Sequence, residues 1–190
     1  MKEIEEIIRK IRKKEIAGAD DTALASAKAL TLLAKRSKAK TVKTFRRETK
    51  NLSRRLIKAR SSSSSLKNCV SYINREIEAM SDVKLIELRN AVETASSRFV
   101  EKINEAKKKI GEIGSKRIMD GDVILTHGFS ASVLSILKWV AEEGKRVHVF
   151  VTEARPELGG REMAKKINNL GLPVTLIVDP ATRVFINQID

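Results

Sequence analysis

Two short stretches hold residues whose types and spacing could do chemistry: His127-Gly128 within THGFSAS, and Glu153-Ala154-Arg155-Pro156 ahead of the Gly159-Gly160 pair. An imidazole titrates near neutrality and suits proton transfer, while a lone histidine beside a strand end also serves as hydrogen-bonded scaffolding. Gly128 lets the backbone approach a ligand closely, and Ser130 is placed to cap the helix that follows. Arg155 can grip a phosphate bidentately; Glu153 can bind sugar hydroxyls or simply fix that arginine. Gly160, in the turn after them, completes this group. Farther upstream, Arg60 precedes five serines, Ser61 to Ser65, ahead of a helical segment. Hydroxyls, backbone N–H groups and a guanidinium there would make a phosphate cradle, or the serines are a flexible loop ending in a helix cap. Cys69, the single cysteine, sits on an apolar helix face, which favours burial over nucleophilic duty. No HxxxH, CxxC or paired-carboxylate spacing indicates a metal, and no motif calls for a cofactor.

These loops need elements to hold them. Val123–Thr126, Arg146–Thr152 and Val174–Val178 are β-branched runs separated by helical segments of about 12 residues, the pattern of a parallel βαβ array. In such sheets ligands gather where strands end and helices begin. Residues 1–116 read as helical instead. Ile4, Ile7, Ile8 and Ile11 share one face of a first helix ending near Gly18, and Asp20 or Asp21 can cap a second. A third is expected over Val42–Ala59, a fourth over Leu66–Met80, and a long fifth opens at Ser81-Asp82 and carries Leu85, Leu88, Val92, Ala95 and Phe99. The glycines at 111 and 114 predict a break, and Met119 to Asp122 a turn. The expected fold is therefore α/β: an N-terminal helical bundle over 1–116, then a short, incomplete Rossmann-like parallel sheet of about three βα units over 117–190.

The 190 residues carry a net charge of +14, distributed unevenly. Residues 1–116 hold 29 Lys and Arg against 15 Asp and Glu, whereas 117–190 hold 9 of each. The basic half suits an acidic partner such as RNA, although aromatics are only 4% of the chain, too few for platforms on which single-stranded bases stack. One cysteine cannot form an internal disulfide, no apolar run approaches the roughly 20 residues that span a bilayer, and the charged start lacks a signal-peptide core. A cytoplasmic protein without membrane attachment is expected.

The segments EIAGAD, ARSSSSSLKNCVSY, ILTHGFSASVL, VFVTEARPELGGR and VTLIVDPATR occur in the order and spacing of the initiation factor 2B alpha/beta/delta subunit family, whose superfamily also holds ribose-1,5-bisphosphate and methylthioribose-1-phosphate isomerases. The chain resembles that family from about Glu15 onward, as a member short at its C-terminal end. The resemblance carries over ligand-facing roles to Gly18, Arg60, His127 and Arg155, which join Gly128, Glu153 and Gly160 of the two loops as candidate ligand-binding residues. It also exposes departures. The isomerases' catalytic cysteine falls at Gly128, their arginine at Ala17, a site glutamine at Gly159, and their catalytic aspartate beyond the third unit, where neither Asp179 nor Asp190 matches it. These departures lead to an expected regulatory protein that is not an enzyme, acting through protein contacts in translation initiation. Homo-oligomerisation and a residual pocket for a phosphorylated small molecule accompany that expectation. A sugar-phosphate isomerase and a basic RNA- or ribosome-binding module stand as alternatives.

Overall fold

The computed structural model describes residues 1–16 and 18–190, which form two compact units, Met1–Ile103 and Asn104–Asp190. Ala17, where the resemblance places a missing arginine, lies outside the described residues. The first unit is helical: α1 (Lys2–Arg12), α2 (Ala19–Arg36), α3 (Val42–Ala59), α4 (Ser64–Glu78) and the start of α5 (Leu85–Ser115). Apolar residues at three- and four-residue spacing dictate these helices, and their stripes meet in one core where Leu30, Phe45, Leu56, Leu66, Ile73 and Leu88 are fully buried. Each such burial stabilises the unit by about 1.5–3 kcal/mol. Cys69 lies in this core, and burial pushes its thiol up to about 12, so it is inert at neutral pH.

Helix ends follow side-chain caps where these exist. Thr41 accepts from the Thr44 N–H at 3.2 Å to open α3, and Ser63 accepts from the Leu66 N–H at 3.3 Å to open α4. The serine run thus supplies a cap, and α4 starts and stops two residues before the predicted limits. Three other predictions shift. α1 stops at Arg12 rather than near Gly18. Gly18, not Asp20 or Asp21, is the residue before α2, and both aspartates lie in its first turn, where the helix dipole favours negative charge. α5 begins at Leu85, three residues past Asp82, with the Glu87 carboxylate accepting from the Lys84 N–H at 2.8 Å.

The second unit contains the sheet, and the α/β expectation holds. Strands β1 (Val123–His127), β2 (His148–Thr152) and β3 (Val174–Ile177) pair in parallel in that order. Helices α6 (Ala131–Glu142) and α7 (Gly159–Asn169) cover one face, where Leu137, Val140, Val149, Val151, Met163 and Ile167 form the core. On the opposite face Phe150 stacks on Phe185 of the short helix α8 (Thr182–Phe185), with ring centroids 4.8 Å apart. The predicted break at Gly111 and Gly114 does not occur. Both lie inside α5, because a side chain at 111 would run into Trp139 of α6 and one at 114 would come within 2.6 Å of Ile136. These glycines permit close helix packing at the cost of helix propensity.

Candidate functional site

Strand register brings the loop starts of the second unit to one edge. His127 of β1 lies opposite Thr152 of β2, and Thr152 lies opposite Ile177 of β3. Adjacent strands sit about 4.8 Å apart, so the residues just beyond them, Gly128, Glu153 and Val178-Asp179, crowd together at the carboxyl edge of the sheet. His127 is exposed there, with Nδ1 2.6 Å from the Thr152 hydroxyl, and among the described residues Nε2 has no protein partner. Ser130 accepts from the Val133 N–H at 3.3 Å and opens α6 directly after the loop. Gly128 adopts φ +65°, where a Cβ would stand 3.0 Å from that of Ala154. A cysteine at this position would combine left-handed backbone strain with a tight contact.

The second loop is organised by carboxylates. The Glu153 side chain, 6% exposed, accepts from Arg155 Nε at 2.7 Å and from Arg161 Nη2 at 3.1 Å, while the arginines are 68% and 55% exposed. The first partner, Arg155, and then Arg161 hold the Glu153 carboxyl below its ordinary value. Asp179, at the end of β3, accepts the backbone N–H of Ala154 at 2.8 Å and of Arg155 at 2.9 Å. Those backbone donors, Arg155 foremost, lower its value as well. A buried acid, Glu153, and a half-buried one, Asp179, therefore grip the loop and leave two guanidiniums facing solvent, a disposition suited to an anionic group. Gly160 has a packing reason of its own: a Cβ there would run into the Thr152 carbonyl oxygen, and its N–H donates to the Glu153 carbonyl at 3.1 Å. At Gly159 a side chain would meet Phe129 at 3.3 Å.

Gly18 and Arg60 belong to the first unit. Arg60 Nη1 donates to the Ile16 carbonyl at 2.8 Å and to the Thr22 hydroxyl at 3.0 Å, so its guanidinium ties the segment around Gly18 to the end of α3. Gly18 is buried, and its carbonyl accepts from the Thr22 hydroxyl at 2.7 Å. Arg161 and Asp179 escape sequence reasoning as site residues, although Asp179 stands one residue past the third β-branched run, where an edge residue belongs. Asp190 lies elsewhere, donating its N–H to the Val123 carbonyl at the amino end of β1. Among the described residues no helix is long and apolar enough to cross a membrane.

A model of the Initiation factor 2 subunit family matches residues 15–190. Over its whole length the chain is 38% identical to a ribose 1,5-bisphosphate isomerase of Thermococcus kodakarensis and 39% identical to one of Pyrococcus furiosus, spanning 60% and 59% of those proteins. Among solved structures, the translation initiation factor eIF-2B of Pyrococcus horikoshii OT3 superposes with a TM-score of 0.83 at 28% identity, covering 98% of this chain and 63% of that one. The tetrameric eIF2B-beta2-delta2 complex of C. thermophilum, at 22% identity, TM-score 0.77 and coverage of 98% and 63%, shows the fold alone. The isomerase names correct two expectations, a regulatory role in translation initiation and the lack of enzymatic activity. Both rested on departures such as Gly128 and the unmatched catalytic aspartate, and identity to isomerases over the whole of this chain outweighs them.

Proposed function

The chain belongs to the Initiation factor 2 subunit family, and from that premise we propose that it is a sugar-phosphate isomerase of the ribose 1,5-bisphosphate type, converting the aldose to the ketose. Full-length identity of 38–39% to proteins named for that activity carries the reading. The chain spans about 60% of their length, and the site it contributes is the carboxyl edge of the sheet. There Arg155 and Arg161 take a phosphate, Gly128 admits the ligand close to the backbone, Gly160 lets the start of α7 pack against the end of β2, and Glu153 keeps the arginines in place. His127 is the proton-exchanging group of this edge, its ring fixed through Nδ1 by Thr152. Gly18 and Arg60 are assigned to ligand binding on the first unit.

The test is incubation of the purified protein with ribose 1,5-bisphosphate, with ribulose 1,5-bisphosphate followed by phosphorus and carbon NMR and binding by calorimetry. Turnover is expected, with affinity falling about 10- to 100-fold in Arg155→Ala, the loss of one charge-assisted contact. Folded protein that neither binds nor converts the sugar phosphate would refute the assignment.

A further inference from the structure

Helix α3 displays a row of cations that, among the described residues, the ion pairs of its unit leave uncompensated. Lys43, Arg47, Lys50, Arg54 and Lys58 recur at steps of four, three, four and four, and all five are exposed. The same helix buries Phe45, Thr49, Leu52 and Leu56, so the row is the solvent face of an embedded helix. Several acids of the unit engage cations off this row: Glu3 holds Lys28 and Arg36, Glu93 holds Lys35, and Glu5 holds Arg55, which is on α3 but outside the row. Glu48, the one acid of α3, accepts instead from the Ser37 hydroxyl at 2.6 Å. Glu78 lines the groove beside Arg47 and Lys50, and among the described residues it pairs with neither. Five positive charges thus run about 23 Å along one helix, their Cβ atoms about 5–6 Å apart.

From this we infer that the α3 face is a docking surface for the phosphate backbone of double-stranded RNA, separate from the sheet-edge site. A duplex strand carries a phosphate about every 3.4 Å of axis in B-form DNA and at closer intervals in A-form RNA, so each cation of the row can meet a phosphate. Backbone rather than base recognition follows from the side chains present: the nearby rings are engaged, Phe45 in the core and Tyr72 against Phe99 at 5.7 Å. The deep, narrow major groove of A-form RNA is closed to such side chains, whereas its wide, shallow minor groove and flanking phosphates accept a basic strip of this kind. Recognition of this kind is insensitive to sequence and steeply dependent on salt.

The experiment is fluorescence anisotropy with the full chain and a labelled 24-base-pair RNA duplex between 50 and 200 mM KCl. With four to five phosphates neutralised, the log–log slope should be about −4, a loss of roughly 200-fold over that range. The triple variant Lys43→Glu/Lys50→Glu/Arg54→Glu should lose at least 10-fold in affinity at fixed salt while keeping its helical circular dichroism. The matched variant Lys108→Glu/Lys109→Glu/Lys165→Glu, with the same change in net charge, should bind as the parent does. Equal losses in both variants would mean diffuse attraction to net charge, and no loss in the α3 variant would mean another surface; either overturns the proposal. So does binding of poly-glutamate or of a DNA duplex as tight as that of the RNA, because the row would then read acidity in general or a B-form backbone.

Discussion

The carboxylate of Glu153 is almost covered, yet it stays charged because Arg155 and Arg161 donate to it. Its depressed value means that its contribution to folding is fully present above the ordinary glutamate range. That contribution is lost as pH falls from about 4.3 through the lower folded-state value. Carbon NMR titration of the Glu153 carboxyl should show a midpoint below about 4.3, moving back upward in Arg155→Ala; a midpoint at or above the ordinary value would mean the arginines do not hold it. The sequence made Arg155 and Glu153 legible as a pair because they lie two positions apart on one loop. Asp179 was not legible as their support, since its two backbone contacts reach across 24 and 25 residues of chain and depend on β2 and β3 lying side by side. Local spacing carries no record of such a contact.

Among the elements, α3 emerged with the predicted limits, Val42 and Ala59, because a threonine cap precedes it and its apolar period is regular. α5 shows the opposite case. Two glycines three positions apart resemble a helix end until the partner helix is known, and the partner is Trp139 and Ile136 of α6, more than 20 residues away. The two explanations predict opposite signs for Gly111→Ala. Were the glycine merely a weak helix residue, alanine would stabilise by about 0.5–1 kcal/mol. With the indole and the Ser135 hydroxyl in the way, at 2.8 Å from the added carbon in the latter case, overpacking should destabilise by about 1–3 kcal/mol. Urea unfolding followed by the fluorescence of Trp139, the chain's only tryptophan, reads the sign directly. A stabilised variant would show that α6 does not need the glycine.

On the scale of the whole molecule, charge separates the two units more sharply than size does. Residues 1–103 hold 25 Lys and Arg against 13 Asp and Glu, whereas 104–190 hold 13 against 11. Self-repulsion among excess like charges destabilises a compact state and is screened by salt; pairs of opposite sign at the surface are weakened by the same salt. In the first unit the excess outnumbers the exposed pairs, so screening should stabilise it, and in the nearly neutral second unit the two effects should cancel. Raising KCl from 20 to 300 mM should therefore increase the melting midpoint seen by far-ultraviolet circular dichroism, which the helices of the first unit dominate, by about 4–8 °C for each kcal/mol of repulsion relieved. The midpoint seen by Trp139 fluorescence, which reports the second unit, should move much less. Equal shifts by both probes would mean that the units melt as one cooperative body, and a fall in the first would mean that its surface ion pairs outweigh its repulsion. The sequence makes this asymmetry legible without any structure, for it is a property of composition along the chain; the structure adds where the charge collects, on the open face of α3.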